Sequence, residues 1–460
     1  MKKLFLPFVF LSLTSVSVWA NVPQQNAVNT KGVKQATPVK KASPVDDDEY
    51  YLEPVSQKKT TPANASTQDD DEYYLDATQP KTPAANKRKL PPSLLEDQQS
   101  HQLDKLSQSR DNPKPKHYWK DKLGAAALLD VDLTDATHPG FTHSRDDDIS
   151  VPNIKINLDG KLDPWLSGHI GLFWSTNADR FYPEVSGHQK RSVQFDEGFV
   201  TLKNFNATPF YLQAGRQYLP FGSYHRFPIL KPLTQTLSEI REDSVQLGFI
   251  RKNNFYGTIY GFQGLSDLSY GHKANYGAMF GYSNISESTA FDFGVSFLRN
   301  MIDVGAIRYG LPSHHYHTRV GAISTHIDLY TGPFSFAVRY VSALRNFSRY
   351  DYAWQTKSGS VRGGKPHAAS LIAGYTFKTA KKESRIDIGY QWSKESHNIN
   401  ISQDNPSQLP KNRISASYAV YLWKNIIVAF EYDHDHDYSK ANGGTNRFNN
   451  TATIRLTALI

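Results

Sequence analysis

The sequence predicts an all-β protein: a transmembrane antiparallel β-barrel of about sixteen strands, preceded by a disordered N-terminal periplasmic arm. Three observations carry that prediction. From Leu123 onward, apolar and polar residues alternate with a period of two. The connections between these stretches are by turns long and short. Beyond Ala20, no apolar run is long enough to cross a bilayer as a helix; the best, Ala419 to Phe430, is broken by Lys424-Asn425.

The elements follow in order. Met1-Lys2-Lys3, the apolar stretch from Leu4 to Leu13, and Val18-Trp19-Ala20 read as a signal peptide over residues 1–20. Cleavage after Ala20 would export the chain to the outer membrane of a Gram-negative cell. Ser12, Thr14, Ser15 and Ser17 break the stretch too early for a spanning helix. The chain has no Cys, so it offers neither a lipid attachment point nor disulfides.

Residues 21–117 are rich in Pro, Ala, Thr, Gln, Asn and Lys. Such a segment buries too little apolar surface to offset its conformational entropy, so it is expected as a disordered periplasmic arm. Asp46-Asp47-Asp48-Glu49-Tyr50-Tyr51-Leu52 recurs as Asp69-Asp70-Asp71-Glu72-Tyr73-Tyr74-Leu75. The repeat reads either as a docking tag for a periplasmic partner or as a solvated acidic segment. The arm's one helical candidate is 93–110, where Leu94, Leu95, Leu103 and Leu106 follow Pro91-Pro92 and a Ser93 cap.

Residues 118–460 form the barrel. The expected strands are 122–133, 149–161, 164–177, 192–204, 208–216, 241–252, 255–265, 273–283, 287–298, 318–330, 333–344, 366–377, 382–394, 410–423, 425–434 and 449–460. The alternation is clearest late in the chain. Ile386, Ile388, Tyr390 and Trp392 alternate with Arg385, Asp387, Gly389 and Gln391, and Ile454, Leu456, Ala458 and Ile460 with Thr453, Arg455, Thr457 and Leu459. Short connections include Leu162-Asp163, Asn253-Asn254, Thr331-Gly332 and Lys424; long ones include 134–148, 217–240, 299–317 and 345–365. That rhythm matches tight periplasmic turns and long external loops. An even strand number closes the sheet and leaves no edge in lipid. Sixteen strands enclose an aqueous channel. The 26 Tyr, 25 Phe and 7 Trp can supply aromatic girdles. The final residues are Leu459-Ile460, without the terminal aromatic common in such barrels. A net charge of +8 fits lipopolysaccharide phosphates or an anionic solute as partners, and export excludes nucleic acid.

The connection after the fifth strand is unlike the others. It reads Gly215-Arg216-Gln217-Tyr218-Leu219-Pro220-Phe221-Gly222, then Lys231-Pro232-Leu233-Thr234, and closes Glu239-Ile240-Arg241-Glu242. Over roughly 210–250 this string resembles the motif of the LbtU-type siderophore porins, the legiobactin-receptor family. The order of signal peptide, polar arm and barrel is similar too. Polyphosphate-selective porins share part of the string. The resemblance implies import of ferric siderophore across the outer membrane without a plug domain.

The residues also speak for themselves. Pro220-Phe221-Gly222 ends the strand and turns the chain. Phe221, Tyr224, Phe227, Pro228, Ile229 and Leu230 are too apolar for a loop facing water, so the segment is expected to pack inward. It would bring Arg216, Tyr218, His225, Arg226, Lys231, Glu239 and Arg241 to a constriction. Cations there attract carboxylate- or phosphate-bearing solutes. The structural alternative pairs Arg216 and Arg241 with Glu239 and Glu242 to hold the loop shut.

Other clusters point to less. In Asp433-His434-Asp435-His436-Asp437, strand alternation would put the two His on one face and the three Asp on the other, which splits a metal site. His314, His315 and His317 lie in a loop, and Asp146-Asp147-Asp148 reads as a solvated loop run. No nucleophile elbow and no Gly-rich phosphate loop is visible, so the reading is not an enzyme and assigns no catalytic residue, cofactor or metal. Two functions compete with siderophore import: an anion-selective diffusion porin for phosphate or small carboxylates, and a barrel that anchors an interaction arm.

Overall fold

The computed structural model describes residues 115, 117–175, 193–224, 229–251, 254–264, 267–268, 274–286, 289–309, 315–397, 409–423 and 425–460. The signal peptide, the acidic–aromatic repeat and the 93–110 helix lie outside the described residues, as do Asn253, His314 and Lys424.

Sixteen strands build the wall. They are β1 (Leu123–Ala136), β2 (Asp146–Asp163), β3 (Leu166–Trp174), β4 (Gln194–Lys203), β5 (Phe210–Tyr218), β6 (Arg241–Ile250), β7 (Phe255–Gln263) and β8 (Ala274–Ile285), then β9 (Thr289–Leu298), β10 (Ala322–Thr331), β11 (Phe334–Ala343), β12 (His367–Thr379), β13 (Lys382–Lys394), β14 (Asn412–Trp423), β15 (Ile426–His436) and β16 (Phe448–Leu459). Each pairs antiparallel with the next. β16 returns to pair with β1, with Leu128 opposite Leu459 and Ala136 opposite Thr451. The sheet is therefore a closed barrel with no free edge. Every expected strand is present, and the largest displacement is at β10, which begins at Ala322 rather than 318.

The barrel is polar inside and apolar outside. On β13, Asp387 and Gln391 are buried while Ile386, Ile388 and Tyr390 are exposed, Ile388 to 61%. On β14 and β16, Arg413, Ser415, Thr453 and Arg455 are buried, whereas Ile414, Ile454 and Leu456 face out. Leaving such a belt in water would cost roughly 1.5–3 kcal/mol per large side chain, so its natural surroundings are apolar. Outward aromatics run around the short-turn end: Phe334, Tyr375, Phe377 and Tyr418 form a chain of ring contacts, and Phe255 meets both Phe280 and Tyr282. This is the expected interfacial girdle.

Two expectations about connections are corrected. The turn between β2 and β3 falls at Pro164-Trp165, not Leu162-Asp163. The ladder runs on past Lys161 through an irregularity before Asp163, which carries the strands further than a hydropathy boundary shows. Asp146-Asp147-Asp148 is not a loop run but the start of β2, opposite Ala136, Asp135 and Thr134. Arg145 bridges Asp135 and Asp147 and so holds this outer hairpin end together.

At the long-loop end, an apolar cluster lies within the barrel. Leu219, Phe221, Leu233, Leu237 and Ile240 join Met301, Ile302, Val304 and Ile307, and Phe347 and Tyr352. Three long connections thus share one small core, which fixes them to the wall.

Candidate functional site

The segment between β5 and β6 does fold into the barrel. It leaves the wall at Tyr218 and returns at Arg241, which are cross-strand partners. On its way out, the Gly222 amide donates to Ser296 Oγ on β9 (3.4 Å). Arg339 Nε on β11 donates to the Ser223 carbonyl (3.2 Å). Gly222 has φ +111°, and a Cβ there would meet Ser238 Oγ at 2.4 Å, so only glycine fits this bend. After residues 225–228, which include His225 and Arg226 and lie outside the described residues, the segment reaches the opposite wall. The Ile229 and Leu230 amides both donate to the Glu431 carboxylate on β15, the second at 2.6 Å. Arg413 Nη1 on β14 donates to the Lys231 carbonyl (3.0 Å), and the Leu233 amide donates to Gln391 Oε1 on β13 (2.9 Å). A short helix, α1 (Leu233–Thr236), then leads back to β6.

These contacts describe a strap. β14 and β15 stand almost diametrically across the ring of sixteen from β5 and β6, so the segment spans the lumen. Backbone amides that would otherwise be buried without partners find them on inward wall side chains. Charge-assisted bonds such as those to Glu431 are the strong class.

The predicted site residues divide. Phe221 is fully buried in the apolar cluster. Tyr224 donates from its hydroxyl to the Phe221 carbonyl (3.0 Å), and burial together with the Glu239 carboxylate pushes its phenol well above the ordinary value. Lys231 pairs with Glu239 (2.6 Å), and Gln235 donates to the other oxygen of that carboxylate. Arg241 pairs with Asp196 on β4, to which the Tyr218 hydroxyl also donates (3.4 Å). Arg216 stands apart. Strand alternation puts it on the face opposite buried Gln213 and Gln217, and its register partner Asp243 is exposed.

The pairing scheme therefore differs from the expected one. Glu239 and Glu242 are ion-paired, but with Lys231 and with Arg308 of α2 (Gly305–Tyr309), the latter at 2.5 Å. Arg216 and Arg241 do not take those roles, because Arg241 is drawn to Asp196 and Arg216 faces the other way.

Sequence reasoning missed the wall side of the site. Lys155 on β2 sits between Asp196 (2.7 Å) and Glu197 (3.1 Å), all fully buried. These consecutive acids can both be buried because the β3–β4 register slips between Gly171 and Leu172, opposite them. Glu431, Gln391, Arg413 and Arg339 were likewise missed. A signal existed: Glu431, Gln391 and Arg339 are each polar or charged at an inward position flanked by outward apolar or aromatic residues, as Glu431 is by Phe430 and Tyr432.

The discounted clusters are placed as follows. His434 and His436 stack on Phe448 on the outer face. Asp433 and Asp435 face inward to Ser415 and Arg413, and Asp437 caps the next loop at Thr445. The predicted split of His from Asp is correct. His317 pairs with Asp351 (2.8 Å).

No protein-family model matches the chain. It is similar to a UPF0422 protein of Coxiella burnetii, 29% identical over 315 residues, which are 66% of this chain and 63% of that protein. A UPF0422 protein of Legionella pneumophila (strain Lens) is 24% identical over 335 residues, 67% of this chain and 59% of that one. The chain spans less than two thirds of the length of these relatives. Among solved structures, the anion-selective porin from Comamonas acidovorans aligns with TM-score 0.49 and 10% identity, over 74% of this chain and 99% of that one. The outer membrane channel DcaP of Acinetobacter baumannii aligns with TM-score 0.48 and 10% identity, over 75% and 100%.

Proposed function

We propose that this chain is an outer-membrane transporter that admits ferric siderophore, the strap between β5 and β6 acting as its gate. The carrying observation is the latch at Glu431, which fixes a lumen-spanning segment to the far wall. The string over 210–250 supports the choice of solute, and the apolar exterior supports the membrane. Of the described cations, Lys231 is paired within the strap with Glu239, and Arg241 on β6 is paired with Asp196 of the wall; solute recognition follows release of the strap.

The test is uptake of radiolabelled ferric siderophore by cells with and without the protein, alongside single-channel conductance of the purified barrel. Saturable, protein-dependent entry with a small conductance is expected. Glu431→Gln keeps only one acceptor oxygen for two amides, so it should loosen the latch by about 1–3 kcal/mol and raise the conductance. Unchanged iron entry together with a large anion-selective conductance in the unmodified protein would replace this reading with a diffusion porin for phosphate or small carboxylates.

A further inference from the structure

At the short-turn end of the lumen, three inward side chains meet on neighbouring strands. Asp292 on β9 is the direct register partner of Asp328 on β10, and His326 lies two residues before Asp328 on the same face. All three are buried. One nitrogen and two carboxylate oxygens of this group lie within 4.8 Å of one another. The geometry points to a binding site for a divalent first-row transition ion on the inner wall, formed by Asp292, His326 and Asp328.

The spacing supports it. His326 Nε2 and Asp292 Oδ2 are 3.5 Å apart, long for a hydrogen bond. Two ligands at about 2.0–2.2 Å from a tetrahedral metal are separated by about 3.4 Å. One imidazole and two carboxylates form a mixed nitrogen and oxygen set suited to zinc-like ions.

The surroundings hold the donors in place. Gly294 stands opposite His326, and a Cβ there would meet the ring's Cε1 at 2.3 Å. Gly281 gives the same room to Tyr256, whose Cζ would lie 2.2 Å from an added Cβ. The two glycines let both rings lie flat and reach Asp292, where the Tyr256 hydroxyl donates to Oδ1 (2.9 Å). This is the kind of outer contact that orients a ligating carboxylate. Arg339 binds Asp328 (2.7 Å) and also the strap at the Ser223 carbonyl. That guanidinium ties the site to the strap. The site is independent of which solute the channel carries.

The rival is a metal-free network in which His326 serves only as a polar neighbour of Asp292. To separate them, the full chain, purified in detergent and freed of chelator, is titrated calorimetrically with zinc at about pH 7.5. A single zinc per chain is expected. Asp292→Asn and His326→Gln should each weaken binding about tenfold or more, while the His434→Ala/His436→Ala double variant binds like the parent. No zinc uptake, binding indifferent to Asp292→Asn and His326→Gln, or binding lost with the outer histidines would each overturn the assignment. Should a variant fail to fold, zinc-edge X-ray absorption of the unmodified protein decides: one imidazole among oxygen ligands upholds the site, and several imidazoles refute it.

Discussion

Single residues decide how the outer loops respond to acid. His397 follows β13 and is buried edge-on to Trp354 (5.1 Å), with Tyr438 at 5.9 Å. Among the described residues its Nδ1 has no hydrogen-bond partner. Burial lowers its pKa, and the Asp437 carboxylate only partly offsets that. The unfolded chain therefore binds a proton more readily than the folded one below the ordinary histidine value. This contribution to stability is complete above about pH 6.5 and is lost as the pH falls from there towards the lowered folded value. Thermal unfolding followed from about pH 7.5 to about pH 5.5 should fall more steeply for the parent than for His397→Gln, which cannot charge. Parallel pH profiles would show that His397 does not set the acid response.

Elements depend on their turns. The β12–β13 hairpin closes through Ala380 (φ +49°) and Lys381 (φ +67°), two successive left-handed residues with no glycine. Such a turn matches the twist of the hairpin, but ordinary side chains are disfavoured there by roughly 1–2 kcal/mol each. Ala380→Asn with Lys381→Gly supplies the preferred residues and should stabilise the barrel by about 1 kcal/mol, read as a higher unfolding midpoint. An unchanged or lower midpoint would mean that the strain is relieved elsewhere. The same hairpin shows why elements were legible at all. Its flanks alternate cleanly, so 382–394 was found to the residue. Asp146–Asp148 was misread because a ladder that runs beyond the apolar belt loses its alternation and keeps only its backbone pairing.

The whole molecule depends on closure. At the β16–β1 seam, Arg455 forms two bonds of 2.7 Å to Asp132, a residue 323 positions away, and Thr457 donates to Asp130. Removing one partner of a buried pair leaves an uncompensated charge. Arg455→Ala should therefore destabilise the barrel by about 3–5 kcal/mol, while Arg455→Met with Asp132→Leu should recover most of the loss. Heat-modifiable migration and unfolding midpoints would measure both. A double variant no better than the single one would mean that the seam needs the ion pair itself rather than charge balance.

The sequence by itself determined the strand number, the inward and outward faces, the rhythm of long and short connections, and the inward turn of the apolar segment after β5. These are local properties. A period of two and a turn signal can be read within a dozen residues, and a loop with Phe221, Ile229 and Leu230 cannot rest in water. Only the tertiary structure decided which charge meets which. Arg241 finds Asp196 rather than Glu239, Lys231 takes Glu239, and Glu431 catches amides 201 and 202 positions earlier. Those choices follow from register, from the slip between β3 and β4, and from the closing of the ring. Each brings together residues whose spacing along the chain carries no trace of their contact.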